Sequence, residues 1–93
     1  MIISYVRWRF RREKNLLVIA VAESQDVEAE NFILTDMRNI MIIAMLFHGK
    51  LIQRKNAYKY KMEKDTKISL VTSIAFRNEK DINDFFRFLN RYF

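Results

Sequence analysis

Two short segments of this sequence carry evenly spaced cations, and these are the residues best suited to do chemistry. The segments read YVRWRFRR at residues 5–12 and KNAYKYKM at residues 55–62. Cations at alternate positions would neutralise successive phosphates of a nucleic-acid backbone, and a tyrosine in the same register would stack on a base. Seven residues form this predicted nucleic-acid-binding set: Tyr5, Arg7, Arg9, Arg11, Lys55, Lys59 and Lys61.

The charge distribution of the chain favours the same two segments. The net charge is +6, from 17 lysines and arginines against 11 aspartates and glutamates. Residues 1–14 carry five basic residues and one acidic residue, and residues 50–67 carry seven basic and two acidic residues. Residues 15–49 carry one basic and five acidic residues. The concentrated positive charge indicates an anionic partner such as RNA, DNA or a host nucleoprotein complex.

The same alternation also has a purely structural explanation. Lysine and arginine on the outermost strands of a sheet prevent those strands from pairing with other chains. Six aligned cations repel one another, however, and their number exceeds what edge protection requires. We therefore predict that the cations bind a ligand, with edge protection as the competing explanation.

Strands must position these cations, because alternation with a period of two is typical of a strand with one buried face. In the first segment Trp8 and Phe10 occupy even positions, so we assign these aromatic side chains to the core and not to base stacking. Residues 16–22 are apolar throughout and predict a central strand paired with the first. Residues 58–62 and 68–76 alternate again and predict a second hairpin.

A helix is predicted after each pair of strands. Ser24 and Asp26 offer capping side chains before the first helix, and a second cap at Thr35 would split the region into a loop and a shorter helix. Gly49 suits the left-handed position that ends a helix. Asn78 is predicted to cap the final helix. The apolar stripe of the first helix follows helical spacing: Ile33, Met37, Ile40, Met41, Ala44 and Phe47.

The predicted fold is therefore α+β, in the order ββαββα, with a four-stranded antiparallel sheet and two helices packed on one face. Residues 1–93 form a single domain in this prediction. Pairing of the two most apolar strands at the centre would place both basic strands at the edges of the sheet. Ile42 and Leu46 fall on the wrong face of the first helix, so they need a cover from the C-terminal helix or from a second subunit in a homodimer.

Most enzyme classes lack their characteristic residues in this chain. One glycine excludes glycine-rich phosphate loops, and the absence of cysteine excludes thiol catalysis and thiolate metal sites. The sole imidazole, His48, is predicted to compensate a helix dipole. No catalytic residue, metal or cofactor is predicted. The acidic residues before the first helix are expected to form a solvated helix start: Glu23, Asp26, Glu28 and Glu30.

The leading functional prediction is a small, non-enzymatic protein that engages nucleic acid or a nucleoprotein complex through a positively charged sheet face. The first alternative is a regulator or inhibitor that docks on a host nucleic-acid machine, of the mobile-element or anti-CRISPR type, because the chain is small and lacks a catalytic set. The second is a ribonuclease that uses arginine, lysine and tyrosine without histidine.

The sequence also bears on where the protein works. The longest apolar run, residues 40–47, has eight residues, whereas a membrane span needs about 20. The amino terminus lacks the long apolar stretch of a secretory signal. We therefore expect a cytoplasmic protein with no membrane association.

Overall fold

In the computed structural model of this protein, the described residues are 6–54, 58–62 and 65–92. Tyr5 and Lys55, both members of the predicted binding set, lie outside them. A short 3-10 helix at Val27–Ala29 leads into the first long helix. The main elements are β1 (Arg7–Glu13), β2 (Leu17–Ser24), α1 (Glu30–Leu46), β3 (Lys50–Arg54), β4 (Tyr58–Met62), β5 (Asp65–Ala75) and α2 (Glu79–Tyr92).

The strands form one antiparallel sheet with β2 and β5 at its centre. At one edge β1 pairs with β2. At the other edge β3 pairs with the carboxyl-terminal part of β5 and β4 pairs with its amino-terminal part, so these two strands share the fourth position of the sheet. The structure confirms the α+β fold, the ββαββα order and the four-stranded antiparallel sheet, with the two basic segments at opposite edges.

The chain enters the fourth position of the sheet at an earlier residue than the alternation predicts. The pattern indicates one strand around residues 58–62, whereas the structure also has β3 at Lys50–Arg54. The pairing of β3 with β5 shifts register between Leu51 and Gln53, which leaves Ile52 as an extra residue in a bulge. Two consecutive apolar residues at the bulge break the period of two, and this hides the strand in the sequence.

The core lies between the helices and the even-numbered residues of the central strands. Alternate side chains of a strand point to opposite faces, and α1 and α2 cover the even-numbered face of β2 and β5. Trp8 and Phe10 of β1 pack against the rim of this core, as their even positions predict. The buried residues at its centre are Val18, Ala22, Ile33, Met37, Ile40, Ala44, Ile68, Leu70, Ile74, Ile82, Phe85 and Leu89.

The first helix is continuous over 17 residues, so no second helix begins near Asp36. The Asp36 carboxylate instead accepts a hydrogen bond from the Trp8 indole at 3.2 Å, which ties α1 to β1. The turn before α1 is held by two side chains. Ser24 accepts a hydrogen bond from the Asp26 backbone N–H at 3.1 Å, and the Asp26 carboxylate accepts one from the Glu28 N–H at 2.9 Å.

The end of α1 has a left-handed residue, but this residue is His48 and not Gly49 as predicted. His48 has a φ of 64°, whereas Gly49 has no positive φ. Glycine is required at position 49 for space, because a Cβ there would lie 2.9 Å from the Phe76 ring and 3.0 Å from the Ala44 carbonyl oxygen. The predicted helix stop is thus correct in place, but His48 is its left-handed residue, and the glycine that follows is needed for close packing.

The second helix begins as its sequence predicts. The Asn78 side-chain oxygen accepts a hydrogen bond from the Asp81 backbone N–H at 2.9 Å and so caps α2. Glu79 and Asp81 lie in its first turn and Arg91 in its last, which matches the helix dipole at both ends. Of the helices that the structure describes, neither α1 nor α2 is both long enough and apolar enough to cross a membrane.

The buried hydroxyl of Thr72 lowers the stability of the core. This residue lies on the central strand β5 with 1% of its surface exposed, and its hydroxyl has no hydrogen-bond partner among the described residues. A buried hydroxyl without a partner costs about 1–3 kcal/mol. We expect Thr72→Val to raise the free energy of unfolding by about 1 kcal/mol in urea denaturation. A decrease would show that the hydroxyl is hydrogen-bonded in solution.

Candidate nucleic-acid interface

The face of the sheet opposite the helices, called the open face below, is formed by odd-numbered residues of β1, β2 and β5. On β1 these residues are Arg7, Arg9 and Arg11, and all three are exposed. Alternate residues of a strand lie about 6.7 Å apart, so the guanidinium groups form a row along one edge of the sheet. The structure therefore confirms that the three arginines share a face, and that this face is free of the helices.

An aliphatic strip runs beside the arginine row on the open face. Arg9 pairs in register with Val21, which in turn pairs with Val71, and Arg11 pairs with Ile19. Cross-strand partners lie on the same side of a sheet, so Ile19 and Val21 lie next to the arginines and Val71 lies one strand further in on the same face. All three are half-buried. The open face thus combines cations with partly exposed apolar surface, and only the cations are evident from the sequence pattern.

Two of the arginines form ion pairs within the open face. Arg9 pairs with Glu23 of β2, and Arg11 pairs with Glu13 at 2.7 Å. The two arginine side chains nevertheless remain 58% and 74% exposed. Because exposed ion pairs contribute only about 0–1 kcal/mol, a phosphate group can replace either carboxylate at little cost. Arg7 makes no ion pair with any residue that the structure describes.

Arg12, the last cation of the first segment, stabilises the fold and does not belong to the open face. Its guanidinium pairs with Glu79 and donates a hydrogen bond to the Asn83 side chain at 3.1 Å. Both partners lie on α2, so Arg12 ties the edge strand β1 to that helix. The alternation of the segment already separates Arg12 from the other three arginines.

The register of β4 separates its lysines from the arginine row. Lys59 pairs with Ile68, and Lys61 pairs with Thr66. These partners are even-numbered residues of β5, whose even positions form the face covered by the helices. Because cross-strand partners share a face, the predicted common face with the arginines is wrong for Lys59 and Lys61. Lys55 lies outside the described residues, as does Tyr5.

The cause is the register in which β4 pairs with β5. It pairs Met62 with Asp65 and therefore sets even-numbered residues of β4 opposite odd-numbered residues of β5. A shift of one residue in register reverses the faces of a whole strand, and the alternation alone does not fix that shift. The same register gives Tyr58 and Tyr60 positions opposite odd-numbered residues of β5, on the side of the open face.

The histidine and the acidic residues considered for catalysis or metal binding take part in turns and ion pairs of the fold. His48 lies in the turn between α1 and β3. Glu23 pairs with Arg9, and Asp26 stabilises the turn that precedes α1. Within the described ranges there is no cluster of three or more histidine, aspartate or glutamate residues able to hold a metal ion.

Cations on the opposite side of the molecule are held by carboxylates of α2. Lys80 donates a hydrogen bond to Asp84 at 2.9 Å, which raises the pKa of Lys80. Arg87 lies 3.5 Å from the same carboxylate, and Arg77 lies 3.1 Å from Asp81. The outer surface of α2 therefore carries mixed charge, and its arginines provide a control for the arginines of the open face.

The candidate interface is thus a row of three arginines beside an aliphatic strip, on the sheet face opposite α1 and α2. Its chemistry suits an extended anionic ligand, because the cations are spaced along one strand. Comparison with protein-family models, with curated proteins and with solved structures finds no match to this chain, so a function must be inferred from this geometry.

Proposed function

We propose that this protein is a non-enzymatic nucleic-acid-binding protein that contacts phosphates through the open face. The observation that carries the proposal is the row of Arg7, Arg9 and Arg11, exposed together on the sheet face that neither α1 nor α2 covers. The guanidinium group presents a planar set of donors that matches phosphate oxygens, and such charge-assisted hydrogen bonds are about twice as strong as neutral ones.

The aliphatic strip supports the same proposal. Ile19, Val21 and Val71 are half-buried although neither α1 nor α2 lies over them, so they offer an apolar surface that begins next to the cations. A nucleotide has both an anionic phosphate and an apolar base face, and a surface with both characters can contact both parts of it. Edge protection accounts for charge on β1, but it does not call for an apolar strip beside that charge.

The net charge of the chain favours the encounter with such a ligand. A charge of +6 on 93 residues attracts polyanions over a distance and raises the rate of association at low salt. The arginine row then sets where the backbone lies. A nucleoprotein complex with exposed RNA or DNA would be attracted in the same way.

Fluorescence anisotropy with labelled single-stranded RNA, single-stranded DNA and duplex DNA tests the proposal. We expect binding to at least one of them, with a dissociation constant of about 10⁻⁴–10⁻⁶ M near physiological salt and tighter binding at low salt. No binding at low salt would refute it. The labelled RNA is afterwards run on a gel, where we expect intact RNA. Cleavage by the wild-type protein would instead support a ribonuclease.

A further inference from the structure

An apolar patch lies on the other side of the molecule from the open face. Ile42 and Leu46, which need a cover from α2 or from a second subunit, are 53% and 66% exposed, so α2 does not cover them. Three neighbouring large side chains are exposed as well. The residues of this apolar patch are Ile42, Met45, Leu46, Leu51 and Ile52.

The geometry of α1 and its short connection to β3 make the patch continuous. Ile42, Met45 and Leu46 lie three and four positions apart and therefore share one face of α1, opposite the buried Ile40 and Ala44. Only three residues separate the end of α1 from the start of β3, and the two elements are in contact. The exposed side chains at the beginning of β3 thus extend the surface that begins on the last turns of α1.

The area of the patch is large enough to form a dimer interface. The exposed fractions of its five residues, 38–66%, amount to roughly 500 Å², in the upper part of the range for the largest apolar patch of a monomeric protein. Two such patches in full contact would bury at most about 1,000 Å², which is the minimum area of a specific interface. None of the five residues of the patch is charged, and exposed cations adjoin it at Arg38, one turn before Ile42 on α1, and at Lys50, directly before Leu51.

We propose that two copies of this protein associate through the apolar patch, with α1 packed against α1 of the partner subunit about a two-fold axis. A second copy supplies an uncharged apolar surface of the same size and shape, which is the complement that the patch needs. The contact is made by helix faces, which pack at interaxial distances of about 8–10 Å. It uses none of the open-face residues and does not depend on nucleic-acid binding.

Sedimentation velocity over a concentration series tests this proposal with a matched pair of variants. We expect the wild-type protein to shift from monomer to dimer as its concentration rises. Leu46→Glu should weaken the association about a hundredfold or more, because the substitution enters a two-fold interface twice. Phe32→Glu is the control, since Phe32 is 60% exposed on the same helix but ten positions before Ile42. This variant should dimerise as the wild type does.

A cysteine variant tests the same contact without disturbing the fold. The chain has no cysteine, so Met45→Cys introduces a single thiol at the patch. Under mild oxidation we expect a disulfide-linked dimer of Met45→Cys and none of Phe32→Cys. A wild-type protein that stays monomeric up to millimolar concentration would overturn the proposal, as would a dimer that Leu46→Glu leaves unchanged. Binding of a foreign protein to the patch of a monomeric chain would also overturn it.

Discussion

Phe85→Ala is expected to lower the free energy of unfolding by about 3–5 kcal/mol, the largest loss that we expect from any single substitution. Phe85 is fully buried and is the largest such side chain among the described residues. Its ring centroid lies 5.0 Å from that of Phe76, 6.0 Å from Phe86 and 6.4 Å from Phe10. The residue therefore joins α2 to both halves of the sheet, and its removal would leave a cavity that neighbouring rings cannot fill.

Urea denaturation followed by the fluorescence of Trp8, the single tryptophan, measures this loss. A domain of this size has about 5–14 kcal/mol of total stability, so the variant would be near its unfolding limit at room temperature. Phe32→Ala is the matched control, because the same ring is removed from a position that is 60% exposed. We expect the control to change stability by no more than about 0.5 kcal/mol. Equal effects at the two positions would contradict the described core.

Replacement of Arg7, Arg9 and Arg11 by glutamine is expected to weaken nucleic-acid binding about a hundredfold or more. Each arginine contributes a charge-assisted contact, and a loss of about 1 kcal/mol at each position multiplies to this factor. Glutamine keeps a polar side chain on an exposed edge strand, so the fold should be retained. Anisotropy titrations with the best ligand of the wild-type protein measure the change.

The control for this open-face triple variant is a helix-side triple variant, in which Arg38, Arg87 and Arg91 are replaced by glutamine. These arginines are exposed on α1 and α2, on the opposite side of the sheet. Both variants lower the net charge by three, so they differ only in where the charge is removed. We expect the helix-side variant to lose less than tenfold in affinity. Equal losses would mean that binding depends on total charge and has no defined face.

Much of the fold follows from local patterns in the sequence. The uniform apolar run of β2 marks a strand at the centre of the sheet, where β2 indeed lies, and the alternation in β1 assigns Trp8 and Phe10 to the core. Asn78 caps α2 where expected. These features are predictable because each depends on residues that are close together in the chain, and local propensity and tertiary packing agree at each of them.

The features that the sequence does not reveal depend on relations between distant segments. The face occupied by Lys59 and Lys61 depends on the register of the β4–β5 hairpin, which changes sides with a shift of one residue. The need for Gly49 comes from the Phe76 ring, 27 residues later in the chain. The aliphatic strip is likewise hidden, because residues 16–22 are apolar at every position and so do not show which side chains remain on the open face.

The dimer contact and the open face would together determine how the protein binds a long nucleic acid. Because the apolar patch lies on the helix side, a dimer formed there would leave both arginine rows free. Two linked copies of a weak binding surface can bind a long strand far more tightly than one. If nucleic-acid affinity depends on protein concentration, and if Leu46→Glu removes that dependence, then dimerisation strengthens binding by the open face.

The most direct test of the proposed function is the salt dependence of binding to a single-stranded ligand. The logarithm of the affinity falls linearly with the logarithm of salt concentration, with a slope of about −0.7 for each phosphate neutralised. We predict that the open-face triple variant has a slope shallower than that of the wild type by about 2, since three contacts are removed. The helix-side triple variant should keep the wild-type slope. Equal slopes for all three proteins would contradict the assignment of phosphate contacts to Arg7, Arg9 and Arg11.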